Sequence, residues 1–256
     1  MDTEVKEQFN LLWNKYFNNV ELPITFYYTN EIEHASLVKP GSVPACVIGA
    51  LSRVRRGSSL CFDVDSVGCP GGKRYLGFAE EIMPNFKYFL SCGIPGELEG
   101  ERYKKSPELV EEAMKNWPVF KAAGNFIVFK RWDRLEKSDN PEVVIFFAQP
   151  DVLSGLFTLA SFDVAESSGV FTPFGSGCST IVQYPYLETE SDHPRAVIGM
   201  FDVSARPFIP KNVLTFSVPI KKFIRMVENM EESFLITDSW NRVQKRIIAV
   251  RRLTKL

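Results

Sequence analysis

The chain has 256 residues, 45% hydrophobic and 24% charged, which is the balance of a globular protein long enough to bury a substantial core. Thirty basic against thirty-one acidic residues leave a net charge of −1, so no global field recruits nucleic acid or an anionic membrane surface. The acidic start Met1-Asp2-Thr3-Glu4 lacks the basic and apolar regions of a secretory signal, and no run approaches the ~18 apolar residues of a membrane helix. The expected compartment is the cytoplasm, where the five cysteines are thiols by default.

Val5, Phe9, Leu12, Trp13, Tyr16 and Phe17 recur at helical spacing behind a capping Asp2 or Thr3, predicting a first helix. Ile24 to Tyr28 reads as a strand, and Thr29 to Ser42 as a polar loop with a short helix around His34. The apolar runs Ala45–Leu51 and Ser59–Val64 read as a hairpin with a basic turn at Gly57. A short helix is expected from Tyr75 to Glu81, ended by Met83-Pro84. Ser106-Pro107-Glu108 starts the next helix, which Trp117-Pro118 ends.

Asn125–Trp132 and Glu142–Ala148 are expected strands. Pro150-Asp151 then opens a helix with Val152, Leu153, Leu156, Leu159 and Phe162 on its buried face. Ala196–Asp202 and Val213–Val218 are further strands. A helix near Pro219 buries Ile220, Phe223, Ile224, Val227 and Met230, and a last one from Asp238 ends in the basic run Arg242–Lys255, whose cations suit a helix C-terminus. Hairpin signals outnumber βαβ units, so the fold is expected to be α+β, a mixed and largely antiparallel sheet flanked by helices. It is read as a single domain over residues 1–256, with room for two tightly packed halves meeting near residue 120.

The cysteines are spaced C-x14-C-x7-C-x22-C-x85-C, with no C-x-x-C pair, which argues against a zinc finger or a ferredoxin-type run. Cys46 and Cys61 lie in apolar runs, where a thiol is usually a small buried hydrophobe. Cys69, Cys92 and Cys178 each adjoin glycine in loops. Three thiolates from three loops, with Cys46 as a possible fourth, would suit an iron–sulfur cluster or, failing that, zinc. Tight turns that simply accommodate cysteine explain the same pattern without any metal.

Anion binding is the second reading. Gly71, Gly72, Lys73 and Arg74 precede a short helix, and Ser176, Gly177 and Ser179 offer hydroxyls and free amides, although neither loop has P-loop spacing. Lys73 and Arg74 would steer a small anionic ligand and lower the pKa of Cys69, which opens a third reading as a thiol enzyme. A base for such an enzyme would have to be His34 or His193, both in polar, loop-like settings. Asp63 and Asp65 could share a strand face. Asp202 and Arg206 sit at a strand end, in reach of a site or of one another, and Glu101–Lys105 could form a substrate-facing loop, with a solvated charge cluster as the favoured reading. Pro44–Ala50 looks like Pro194–Met200, and Val67-Gly68-Cys69 like Ser176-Gly177-Cys178, but in reversed order along the chain.

The segments Cys69–Phe78, Gly100–Tyr103, Gly175–Cys178 and Phe201–Pro207, with Ser233–Leu235 and Trp240, together resemble the ArCR family of uncharacterised prokaryotic proteins, a domain of unknown function. The resemblance implies a single α+β domain in a bacterial or archaeal cytosol, with Cys69 and Cys178 in characteristic loops. It supplies no activity. The leading expectation is therefore a thiolate-held metal centre beside a small-anion pocket. The alternative is a metal-free anion-binding module with structural cysteines. No nucleic-acid or membrane partner is expected, and a homo-oligomer is left open.

Overall fold

A computed structural model of the chain describes residues 1–18, 20–32, 34–41 and 46–254. Ser42, Pro44, Ala45 and Lys255, used in the sequence reading, lie outside them. In chain order the elements are α1 (Thr3–Phe17), β1 (Ile24–Thr29), β2 (Ser36–Leu37), α2 (Val47–Arg55), β3 (Leu60–Phe62), α3 (Pro70–Tyr75), α4 (Phe86–Phe89), α5 (Pro107–Lys115) and β4 (Phe126–Arg131). They continue as β5 (Val143–Ala148), α6 (Pro150–Ala160), β6 (Val170–Phe171), α7 (Tyr184–Leu187), β7 (Ala196–Gly199), β8 (Leu214–Pro219), α8 (Ile220–Glu228) and α9 (Asp238–Thr254). A π-helical turn, Ser179–Gln183, leads directly into α7.

Local chemistry explains the ends that were expected. The Asp2 carboxylate accepts from the Glu4 amide at 2.9 Å, and Ser106 Oγ from the Leu109 amide at 3.4 Å, so α1 and α5 start where side chains can satisfy the first free N–H groups.

The strands form one open sheet in the order β2-β3-β4-β1-β5-β8-β7-β6. β2 and β3 are parallel, as are β6 and β7, and every other neighbouring pair is antiparallel. The fold is thus α+β with a mixed, mostly antiparallel sheet. Its two halves share one connectivity: the first four strands are ordered 2-3-4-1, and the last four, from the opposite edge, 6-7-8-5 with the same directions. In each half a helical segment bridges the parallel pair, α2 in one and the π-turn with α7 in the other. The halves differ most between their third and fourth strands, where residues 63–125 form a long insertion opposite the short connection 200–213.

Period-two alternation along β5 supplies both faces of the sheet. Val144, Phe146 and Ala148 join a core with Phe9, Trp13, Leu156, Phe223 and Trp240, from α1, α6, α8 and α9. Val143, Ile145 and Phe147 join the opposite core with Ile48, Leu51, Val54, Ile181 and Val182. Lys130 is fully buried in β4 and donates to both carboxylate oxygens of Asp139 at 2.8 and 2.9 Å, so its charge is paired rather than stranded.

Several expectations change. Residues 47–55 are helix rather than the first arm of a hairpin, because Val47, Ile48, Leu51 and Val54 recur at helical spacing and all face the core. The turn at Gly57 is real, with φ +103°, but it joins a helix to β3. The helix expected at Tyr75–Glu81 is not formed: α3 runs from Pro70, directly behind Cys69, to Tyr75, and the chain from Leu76 to Glu81 turns away from helix. The stretch around His34 leads into β2 rather than a short helix. Phe162 lies past the end of α6 and is 43% exposed. Asp63 and Asp65 follow β3 rather than sharing its face, and Asp63 Oδ1 accepts from the amides of Asp65 and Ser66 in a tight turn. The likeness of Pro44–Ala50 to Pro194–Met200 is not structural, since residues 47–50 are helical and 196–199 a strand.

Candidate functional site

A cavity of about 650 Å³ lies on the α2 side of the sheet, between the starts of helical segments and the 63–125 insertion. Cys46 is the residue before α2, Cys69 the one before α3, and Cys178 the one before the π-turn; all three line the cavity. Cys46 and Cys178 therefore hold equivalent places in the two halves, each heading the segment that bridges a parallel strand pair. Close packing brings these starts together: a Cβ on Gly177 would lie 3.2 Å from Ile48 Cγ1 and 3.3 Å from Met200 Cε.

Two of these thiols, Cys46 and Cys178, are in surroundings that favour the neutral form. Burial pushes the Cys178 thiol well above its usual range, and Cys46, Cys69 and Asp202 add to the effect. Burial also raises Cys46, against the opposing pull of the Gly49 and Ile48 amides at the start of α2. Cys61 lies in β3 at 0% exposure, off the cavity, with its thiol pushed up to about 12 by burial and by Asp63. Among the described residues, no group of three or more His, Cys, Asp or Glu side chains is arranged to hold a metal ion.

The residues singled out for anion binding divide. Gly71, Gly72, Ser176, Gly177 and Ser179 line the cavity. Lys73 and Arg74 do not; Arg74 is buried and donates to the Glu80 carbonyl oxygen. Three amides of the 176–180 loop are also engaged within the chain. Gly177 N–H donates to Asp202 Oδ2 at 2.9 Å, Ser179 N–H to Ser176 Oγ at 3.1 Å, and Thr180 N–H to the Ser176 carbonyl at 3.2 Å.

Cys92 is exposed on a turn where Gly93 and Gly100 cross closely, and it does not reach the cavity. It is therefore separated from the other three cysteines with which the sequence grouped it. His34 lies within 3.5 Å of Glu136, and neither it nor His193 lines the cavity. Asp202 and Arg206 are not an ion pair: Asp202 Oδ1 accepts from the Ser204 amide and hydroxyl, while Arg206 donates to the carbonyls of Met200, Pro210, Lys211 and Val213.

The remaining walls were not expected from sequence. Tyr75, Phe86, Phe89 and Trp117 from the insertion line the space together with Phe174 and Tyr184. Phe86 and Trp117 meet edge to face at 6.0 Å. Phe174 and Phe201 at the mouth are each 56% exposed, and Lys104 Nζ sits 4.3 Å from the centroid of the Phe174 ring. Glu101 and Tyr103 complete the rim, and burial together with the neighbouring Glu101 carboxylate raises the Tyr103 hydroxyl above its ordinary pKa. The backbone is unusual at two adjoining points, with φ +57° at Arg102 and +69° at the buried Met200. The sequence signal for these walls was the run of aromatics between 75 and 120, but nothing local tied it to the thiol loops.

A second, more open cavity of about 580 Å³ lies between α6 and residues 206–214, where the half-buried Arg206 is already committed to carbonyls. Chemistry is concentrated in the first. No helix among the described residues is long and apolar enough to cross a membrane.

The profile of a protein family described as uncharacterised ArCR (DUF169) matches residues 15–229. Neither a curated protein nor a solved structure matches the chain.

Proposed function

The chain belongs to the uncharacterised ArCR family, and we propose that it binds a small, largely apolar organic molecule in the cavity between the thiol-bearing helix starts and the 63–125 insertion. The observation that carries this reading is the cavity itself, about 650 Å³ and walled by aromatic and aliphatic side chains, the size and character of a site for a drug-sized ligand. The anion pocket expected from sequence gives way to this reading because Lys73 and Arg74 lie off the lining and the Gly177, Ser179 and Thr180 amides already donate within the chain. Protonated Cys46 and Cys178 then serve as a soft, polarisable floor rather than as nucleophiles.

The test uses the neutral dye N-phenyl-1-naphthylamine, whose fluorescence rises in apolar surroundings. Saturable binding is expected, and Gly71→Phe should abolish it. A Cβ at Gly71 meets only ordinary contacts, Tyr75 Cε2 at 3.5 Å and Cys69 Sγ at 3.8 Å, so the backbone accepts a side chain that then occupies the floor. Saturable binding that survives Gly71→Phe would place the dye elsewhere and end the reading.

A metal centre is the second reading, favoured by one observation: Cys46, Cys69 and Cys178 line the same end of one cavity. Their side chains would have to turn inward to coordinate, and Cys92 would take no part. Iron with sulfide, or stoichiometric zinc, in protein purified without oxygen, lost in Cys69→Ser and Cys178→Ser, would make this reading the leading one. Folded, metal-free protein that binds the dye would retire it.

A further inference from the structure

We infer that the ligand of this cavity is an organic cation, a quaternary ammonium or protonated amine on an apolar body. The inference rests on the cavity being a ligand site, as proposed above, and adds the sign of the ligand's charge.

Two observations point the same way. The first is the charge of the lining. Glu101 at the rim and Asp202 at the floor both line the cavity, and no lysine, arginine or histidine among the described residues does. Neither carboxylate has an ion-pair partner among the described residues. Arg102, Lys104 and Lys105, next to Glu101 in the chain, are not part of the lining. Two unpaired negative charges beside low-dielectric walls concentrate a field that attracts cations and repels anions.

The second observation is aromatic. Phe86, Trp117, Tyr184 and Phe174 present ring systems to the same space, and ring faces replace part of a cation's hydration shell. The chain already uses one of these rings in this way, with Lys104 Nζ 4.3 Å from the Phe174 centroid.

Two influences oppose this: the Lys104 ammonium over the Phe174 ring, which the two carboxylates outnumber, and the positive helix starts at the floor. The reach of the helix starts is reduced here because the Gly177, Ser179 and Thr180 amides already donate within the chain, the first of them to Asp202 itself. An anion entering the cavity would meet two carboxylates and few free donors. A cation would meet rings and two carboxylates.

The experiment displaces N-phenyl-1-naphthylamine with three compounds of matched shape: benzyltrimethylammonium, its neutral carbon isostere neopentylbenzene, and phenylmethanesulfonate. The cation should compete about tenfold more tightly than the neutral isostere, with the sulfonate weakest. Glu101 is exposed and makes no ion pair among the described residues, so Glu101→Gln should leave the thermal melt unchanged while narrowing the preference for the cation over its neutral isostere roughly three- to tenfold. Equal competition by cation and neutral isostere, or preference for the sulfonate, with the dye still excluded by Gly71→Phe, overturns this inference and leaves the cavity reading standing. A dye that does not bind, or binds Gly71→Phe equally, removes the cavity reading and this inference with it.

Discussion

Lys130 and Asp139 show how a buried charge is carried by a single residue's surroundings. The Lys130 side chain has no solvent exposure, and Asp139 accepts from it, from the Tyr27 hydroxyl at 2.5 Å and from the Glu136 amide at 2.7 Å. Removing one partner strands the other, so Asp139→Ala should cost about 3–5 kcal/mol by denaturant unfolding, and Lys130→Met a comparable amount. Burial acts to raise the Asp139 carboxyl, but the Glu136 amide, Lys130 and Tyr27 outweigh it and hold the group below its ordinary value. A carboxyl depressed in the folded state stabilises fully above its unfolded pKa of about 4 and loses that contribution as pH falls through the lower folded value. Wild-type stability should therefore drop more steeply between pH 5 and pH 2 than that of Asp139→Asn, and parallel pH profiles would show that the pair does not govern acid sensitivity. Exposure and thiol character also order the cysteines toward iodoacetamide at neutral pH. Cys92, which is exposed, should label first, while Cys61 and Cys178 should stay protected until the chain unfolds. Mass spectrometry of partly labelled protein reads the order, and Cys178 labelling first would restore the thiol-enzyme reading.

At the scale of elements, what the sequence disclosed depended on how far each signal reached. α1, α5, α6, α8 and α9 were legible because caps and apolar periodicity lie within the helix itself, and β1, β4, β5 and β8 because β-branched and aromatic runs do. Residues 47–55 were misread because a short apolar run fits strand and helix alike, and the deciding contact, of Ile48 with the 177 loop, is more than a hundred residues away in sequence. Helix packing has the same long reach at Gly155 in α6. A Cβ there would come within 2.4 Å of the Trp240 ring and 3.0 Å of Phe17, two rings held in the core. Gly155→Ala should therefore destabilise by about 1–3 kcal/mol, against the gain in helix propensity that alanine brings elsewhere. Gly71→Ala, whose new methyl meets only ordinary contacts, should be neutral or slightly stabilising. Thermal melts of the two variants make the comparison, and an unchanged melting temperature for Gly155→Ala would mean that α9 can shift away from α6.

On the scale of the whole molecule, the site is a product of a repeated topology that has been made unequal. Both halves direct a bridging helix toward the same end of the sheet, which is why Cys46 and Cys178 meet although 131 residues lie between them. The thiols were visible in the sequence as members of one set, but the lining's charge was not, because Glu101, Asp202 and the aromatic walls come from separate segments that only the folded chain brings together. The inequality is the 63–125 insertion, which brings Cys69 and Gly71 to the floor of the cavity and covers it with residues 82–117. Its helices are lightly anchored: α4 buries no residue fully and α5 only Val110. Across the cavity it is held by the Lys104–Phe174 contact and by Gln183 Nε2 donating to the Pro118 carbonyl at 2.8 Å. Segments with few buried apolar contacts open at lower free energy than a sheet core. Hydrogen exchange should accordingly be faster over residues 86–115 than in β1, β4, β5 and β8, and N-phenyl-1-naphthylamine should slow it there selectively. Exchange in the insertion as slow as in the central strands would mean that it is part of the core, and a ligand would then need to enter through the mouth between Phe174 and Phe201 without any opening of the roof.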